Sequence, residues 1–472
     1  MPALPTLCAL ALLAAAPGAS PVPAPAVPAP APAPAGGPEA GPLGRRYHLE
    51  RIELRGLTHT REAEVRRHLL VAPGDVLDTE RVLLSRLRLL QLGWFSRVET
   101  RVERGSERGL VVLVIEVTER NTLIVSDLVF GSTGPQPFYG GLGLSQQNFL
   151  GRGMGLSGAF VYGGSPSGRS DDPSRFALRG GFFAPDLTPR RLPPLVFGVS
   201  GQFLRGEELT CDDPGCEAYR SDYGRAPRIR YQRAAGEVTL GMRPGPFERL
   251  LATYRYERLH AAAIDDSPAL AAARGPGPAI LVGWSDLSAL TGTYEIDTRD
   301  DFFFPTDGFR GVAQVTFGSA LLGGDYEYSR YLLQLETAYA LLGRRLRLQL
   351  AAGAAQGSAP FFERFYAADW SYFTVGPALG RALELNFSTD SRYDAVLGMA
   401  GLEYAVPLWS RGGFFHRGYL AIGARGVWSA ARPGGGRTAV SDLPFSADLA
   451  LRLDTPVGTF NASLGYALDN FL

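Results

Sequence analysis

The stretch ERLLATYRYERL, residues 248–259, puts Leu250, Ala252, Tyr254 and Tyr256 on one side of an extended chain and Thr253, Arg255 and Glu257 on the other. Side chains on a strand alternate with a period of two. An apolar face opposed to a charged one at that period suits a wall with hydrocarbon outside and water inside. The same period runs through MGLSGAFVYGG (154–164), with Leu156, Gly158, Phe160 and Tyr162 on one side, and through FRGVAQVTFGS (309–319), with Phe309, Ala313, Val315 and Phe317. RLRLQLAAGA (345–354) repeats it with Leu346, Leu348, Leu350 and Ala352. A soluble β-sandwich also alternates, but its apolar face is seldom rimmed by so many Tyr, Phe and Trp, which in outer-membrane barrels form girdles at the interfaces.

Beyond Asn121 helical periodicity never takes over, and no segment offers the run of roughly 18 apolar residues that a membrane-spanning helix needs. A membrane-spanning reading therefore requires a closed barrel, which leaves no unpaired backbone edge in hydrocarbon. Short turns (FLGRG, APDLTP, RPGP, FPTDG) alternate with long polar stretches at 163–175, 205–235, 260–280 and 430–443. That asymmetry matches short periplasmic turns and longer outer loops. About fifteen strands can be placed between Leu123 and Leu472; single-chain bacterial barrels carry an even number, so about 16 antiparallel strands are expected.

Composition agrees with an all-β chain: 58 glycines and 11% aromatic residues in 472. Lys+Arg and Asp+Glu balance at 47 each, which gives no basic field to attract nucleic acid. Residues 1–20, MPALPTLCALALLAAAPGAS, hold an apolar run followed by small residues and read as a signal peptide, although no Lys or Arg precedes the run. Residues 21–44 alternate Pro and Ala with Gly and read as an extended linker.

Residues 45–121 have a different texture. YHLERIELRGL reads as a strand with Ile52 and Leu54 on one face and Leu49 aside; a helix begins near Thr60 with Val65 and Leu69 one turn apart; a second, capped by Asp78, carries Leu83, Leu87 and Leu90 before Gly93 stops it. WFSRVETRVER and GLVVLVIEVTE follow as strands, the latter apolar enough for a buried central position. The order β-α-α-β-β makes a small α+β domain ahead of a barrel over 122–472.

Residues suited to chemistry are sparse. Histidines stand at 48, 59, 68, 260 and 416 without a HExxH or Cys/His cluster, and no serine occupies a GxSxG elbow, so neither an enzyme nor a bound cofactor is expected. Asp297, Asp300, Asp301 and Asp307 invite a calcium reading, but their spacing along a strand and turn is too long for one ion. Cys211 and Cys216, in LTCDDPGCEAY, are a disulfide candidate in an exported chain.

Segment 46–122 resembles a POTRA (polypeptide-transport-associated) domain in RIELRG, the GDVLD step, LRLLQLGWFSRVE and VVLVIEVTE. SQQNFLGRGMGLSG, DTRDDFFFPTDGFRG and PFFERFYA resemble the second-to-third strand turn, the strand-turn-strand before loop six and the approach to that loop in the BamA/TamA superfamily, also called the bacterial surface antigen family. Thr455–Leu472 is similar to that family's penultimate strand. The resemblance implies an outer-membrane barrel with its POTRA domain in the periplasm. It further implies assembly, insertion or translocation of unfolded outer-membrane or secreted clients, with the lipid bilayer and periplasmic accessory proteins as partners.

The family's loop-six signature is Val-Arg-Gly followed by Phe or Tyr. Aligned a few residues after FYA, this chain reads Phe373-Thr374-Val375-Gly376, and the position of the arginine's acidic partner falls near Gly423. Loss of both halves of a buried ion pair is more coherent than loss of one. Arg381 paired with Glu403 is the candidate substitute. The departure also opens an alternative, a passive outer-membrane channel or surface structural barrel that keeps the fold without protein handling.

Overall fold

A computed structural model of the chain describes residues 47–131, 138–164, 174–186, 194–209, 228–263, 280–301, 304–366, 393–410, 414–430 and 445–467. The signal-peptide and linker expectations, Cys211 and Cys216, Phe373 to Gly376, and Arg381 all lie outside these residues.

The first domain consists of β1 (His48–Arg55), α1 (Glu62–Arg67), α2 (Thr79–Gln91), β2 (Phe95–Arg104) and β3 (Leu110–Glu119). Its sheet has the order β1-β3-β2, with β1 parallel and β2 antiparallel to the central β3. Central placement suits the apolar run of β3, whose Leu113, Val114 and Ile115 are at most 1% exposed. Asp78 caps α2 as expected, its carboxylate accepting from the Glu80 and Arg81 amides.

Two details of the core differ from the sequence reading. Leu49 is buried with Ile52, because the register with β3 shifts between Leu49 and Arg51 and so restores Leu49 to the inner face. The buried face of α2 is Val82, Ser85 and Leu89, whereas Leu83 is 58% exposed. Ser85 is tolerated inside because its hydroxyl donates to the Arg81 carbonyl and accepts from the Leu70 amide.

The second sheet has fifteen strands. They are β4 (Leu123–Gly131), β5 (Tyr139–Phe149), β6 (Met154–Gly163), β7 (Arg175–Ala184), β8 (Leu195–Leu209), β9 (Arg228–Met242), β10 (Glu248–Ala263), β11 (Gly283–Asp297), β12 (Gly308–Gly318), β13 (Tyr328–Leu341) and β14 (Arg344–Gly357), followed by β17 (Val396–Trp409), β18 (Arg417–Ala430), β19 (Phe445–Thr455) and β20 (Gly458–Ala467). Between β14 and β17 lie a 3₁₀ turn at Phe361–Glu363 and a small ladder of β15 (Phe365–Tyr366) with β16 (Tyr393–Asp394). Neighbouring strands of the large sheet pair antiparallel throughout, from β4 with β5 to β19 with β20. The described residues thus hold fifteen of the expected sixteen or so strands.

The alternation read from the sequence is the alternation of the wall. On β10, Leu250, Tyr254 and Tyr256 are exposed on the outer face, while Glu257 is fully buried on the inner one. Phe160, Phe317 and Leu350 are likewise exposed on their strands. Among the described residues no helix is long and apolar enough to cross a membrane.

Candidate functional site

Three places hold the unusual geometry: the joint between POTRA domain and barrel, the lumen, and the meeting of the first and last barrel strands. At the joint, the β5–β6 turn reaches into the POTRA domain. Asn148, 0% exposed, donates from Nδ2 to Thr60 Oγ1 (2.9 Å) and accepts at Oδ1 from the Gly153 amide (2.7 Å). Trp94 Nε1 donates to the Gln147 carbonyl (3.1 Å), and the Arg61 amide to the Gly151 carbonyl (3.0 Å). Gly153 has φ +69°, and a Cβ there would lie 2.7 Å from the Trp94 ring, so both backbone conformation and space call for glycine. From α2, Gln91 Nε2 donates to the carbonyls of Asp297 (3.2 Å) and Arg299 (2.6 Å). Glu119, at the end of β3, accepts from the His59 and Thr60 amides and from Thr58 Oγ1. Burial pushes its carboxyl up, but those hydrogen bonds together outweigh burial and hold it at about 2.

The lumen is lined by paired charges in tiers. Nearest the POTRA domain, Arg417 bonds Asp454 (2.9 Å) and Asp301 (3.1 Å), and Arg120 reaches Asp454 (2.9 Å). Phe304 sits under this group, stacked on Tyr419 at 5.1 Å. The acidic run before FPTDG is therefore a turn and an ion-pair anchor: Asp300 accepts from the Thr306 and Asp307 amides, and Asp301 from the Phe304 amide. Among the described residues no cluster of His, Cys, Asp and Glu could hold a metal ion.

In the next tier Glu403, 0% exposed on β17, pairs with Arg345 (2.8 Å) and Arg452 (2.5 Å), with Arg347 at 3.8 Å. It stands opposite Gly423 in register, and Gly423 in turn stands opposite Asp448. Both strands beside Gly423 thus carry an acid at its level. Glu403 was legible as a candidate; its three arginine neighbours on β14 and β19 were not.

The segment PFFERFYA enters the lumen near the loop end. Phe361, 1% exposed, packs with Val161, Ala177, Leu204, Ile229, Tyr231 and Ala261. The Arg233 guanidinium lies 3.4 Å over the Phe362 ring, Arg233 itself pairs with buried Glu257, and Glu363 pairs with Arg255 of β10. Arg330 stacks on Phe365 at 4.8 Å. The sequence marked this segment only by resemblance; its aromatic and acidic residues are what fasten it to the wall.

At the seam, an odd number of antiparallel strands brings β20 back running in the same direction as β4. The two edges share one backbone hydrogen bond among the described residues, from the Val125 amide to the Val457 carbonyl (2.8 Å). Gly458, with φ +132°, permits this approach: a Cβ there would lie 2.8 Å from the Val125 carbonyl oxygen.

Comparison with known proteins agrees with this architecture. Residues 148–470 match the Omp85 superfamily domain, and residues 47–120 match the POTRA model described as a surface antigen variable number repeat. The outer membrane protein assembly factor BamA of Nitratidesulfovibrio vulgaris is 24% identical over 336 residues, covering 68% of this chain and 37% of that protein. This chain thus spans little more than a third of that relative. The structure of CdiB from Escherichia coli superposes with TM-score 0.59 at 10% identity, covering 90% of this chain and 73% of that one. CdiB from Acinetobacter baumannii gives 0.52 at 11%, covering 90% and 70%. These likenesses bear out the barrel fold, and the family bears out the outer-membrane location and the non-enzymatic reading. With the superfamily domain extending over most of its length behind a single POTRA domain, the chain belongs to the Omp85 superfamily.

Proposed function

We propose that the protein assembles or translocates unfolded clients at the outer membrane, receiving them at the POTRA sheet and engaging them at the seam between β4 and β20. The observation that carries this reading is the seam. β4 and β20 stand at opposite ends of the strand order, and one backbone hydrogen bond between their edges is described. Unpaired backbone in hydrocarbon is expensive, so an incoming client strand relieves that cost.

The POTRA sheet supplies a matching edge. The outer side of β1 is covered at its start, where the Leu49 amide bonds the Asp75 carbonyl and the Leu77 amide the Tyr47 carbonyl. The outer side of β2 has no strand partner among the described residues. A cavity of about 320 Å³ lies beside it, lined by Arg86, Val98, Glu99, Thr100, Arg101 and Glu116. An extended segment can add there through main-chain hydrogen bonds, which recognise backbone and tolerate many sequences. The single POTRA domain is then a receiver, periplasmic accessory proteins its partners, and Arg381 with Glu403 the proposed substitute for the loop-six pair.

The test is a seam crosslink, Val125→Cys with Val457→Cys, in a background with Cys211→Ser and Cys216→Ser, reconstituted in liposomes with an unfolded outer-membrane client. Oxidation is expected to stop client insertion and reduction to restore it. Insertion indifferent to the crosslink, with client-independent conductance in planar bilayers, would instead favour the passive channel that the Phe373-Thr374-Val375-Gly376 sequence already suggests.

A further inference from the structure

Beneath β10 to β12, where α2 of the POTRA domain meets the β9–β10 turn, lies a cavity of about 380 Å³. Five arginines line it, Arg88, Arg243, Arg249, Arg299 and Arg310, against three carboxylates, Glu248, Glu295 and Asp297. Three of the five arginines are matched within the barrel. Arg299 pairs with Asp297 (2.7 Å) and Glu336 (3.2 Å), Arg310 with Glu295 (2.9 Å), and Arg249 approaches Glu295 at 3.9 Å. Arg88, from the POTRA helix, and Arg243, from the barrel turn, have no ion pair among the described residues, although Asp186 attracts both electrostatically.

Two further observations point the same way. His68, 2% exposed, lines the cavity, and its Nε2 has no hydrogen-bond partner; the nearest carboxylate oxygen, Glu64 Oε1, is 3.8 Å away and also buried without a partner, while Oε2 faces Arg67 at 3.6 Å. The Nε of Arg243 is likewise buried without a partner. Burial, then the positive charges of Arg249 and Arg88, pull the Arg243 guanidinium down to about 10, with Asp186 and Glu64 offsetting only part of that repulsion. Burial first, then Arg243 and Arg88, also hold His68 well below the ordinary histidine range, so it stays neutral. A neutral imidazole leaves one ring nitrogen free to donate.

We propose that this cavity is a binding site for a phosphate-class anion, which bridges Arg88 of the POTRA domain and Arg243 of the barrel and fastens one to the other. Two guanidinium groups whose charge Asp186 offsets only in part suit an anionic phosphate group, and planar N–H forks suit phosphate oxygens. The same chemistry is offered by free phosphate and by the headgroup of an anionic phospholipid, both of which reach the periplasmic rim of a barrel.

The experiment is isothermal titration of the full chain in a zwitterionic detergent with inorganic phosphate at constant ionic strength, beside Arg88→Gln and Arg243→Gln. In parallel, the three proteins are placed in nanodiscs with and without phosphatidylglycerol, and hydrogen exchange is followed at Gln91 and at residues 243–247. A saturable phosphate isotherm weakened at least tenfold in both variants supports the site with free phosphate as ligand. Protection that appears only with phosphatidylglycerol, and only in the parent chain, supports it with a lipid headgroup. Either variant's folding is checked by heat-modifiable electrophoretic mobility. Absence of saturable heat together with lipid-indifferent exchange, or responses retained in folded variants, overturns the proposal.

Discussion

Replacing Glu363 by Gln should release the loop-six approach from the lumen wall without unfolding the barrel. The carboxylate is 7% exposed and pairs with Arg255, whose own side chain is 17% exposed. Breaking a buried pair from one side costs about 3–5 kcal/mol. Glutamine keeps an acceptor for Arg255, and Glu257 remains 3.8 Å from that guanidinium, so the lower estimate of about 2–3 kcal/mol applies here. Because about 1.4 kcal/mol corresponds to a tenfold change in an equilibrium constant, the opened form of the segment should become about a hundredfold more populated.

The readout is amide exchange at Glu363 and Arg364, whose N–H groups donate to Pro360 (2.9 Å) and Phe361 (3.0 Å) carbonyls within the 3₁₀ turn. Their exchange should accelerate by about two orders of magnitude, while amides of β14 keep their protection, since the ladder there does not depend on the pair. Arg255→Gln should produce the same local loosening, and the double variant should add little, as expected of partners in one interaction. Unchanged exchange at 363–364, or equal loosening of β14, would refute the idea that Glu363 anchors this segment. Phe361→Ala separates charge from packing: it removes a side chain 1% exposed and should cost about 3–5 kcal/mol by cavity formation.

Asn148→Ala removes both hydrogen bonds that tie the β5–β6 turn to Thr60 and to its own Gly153, and should weaken POTRA docking by about 2 kcal/mol, read as faster protease cleavage around residues 120–123. Gly153→Ala combines a left-handed φ of +69° with a contact of 2.7 Å to Trp94, and should lower the melting temperature through about 1–3 kcal/mol of strain. Glu119→Gln should destabilise the POTRA domain by about 1 kcal/mol at neutral pH, the charged hydrogen bonds being partly screened by solvent. Since the folded-state pKa of Glu119, about 2, lies below the ordinary carboxylate value of 4.5, its contribution is complete above pH 4.5 and fades as pH falls toward 2; stability curves of parent and variant should converge over that window.

How far the sequence could be read depended on whether a signal was periodic or relational. The wall was legible because every strand repeats one rule, apolar outward and polar inward, so Tyr254 and Glu257 could be assigned without knowing any partner. The phase of α2 was less so: LLSRLRLL offers leucine at too many positions to choose a face, and the buried Ser85 disguised the true one by satisfying its hydroxyl locally. The lumen pairs could not be read at all, because they depend on register between strands. Arg233 and Glu257 are 24 residues apart and meet only because β9 and β10 align Arg233 with Leu259, leaving Glu257 on the same inner face one pleat away.

The clearest case is the acid expected near Gly423. Read along β18 alone, its absence looks like loss of the lumen's acidic feature. Read across the sheet, the position is flanked by Glu403 on β17 and Asp448 on β19, both buried at the same level. Negative charge inside a barrel is constrained by height and by the arginines around it, and either neighbouring strand can present it at that height. Arg345 and Arg452 hold Glu403 in place, so the wall carries a carboxylate tier beside Gly423. An acid sought along one strand can therefore be missing at that position while the lumen carries negative charge at the same height on the neighbouring strands.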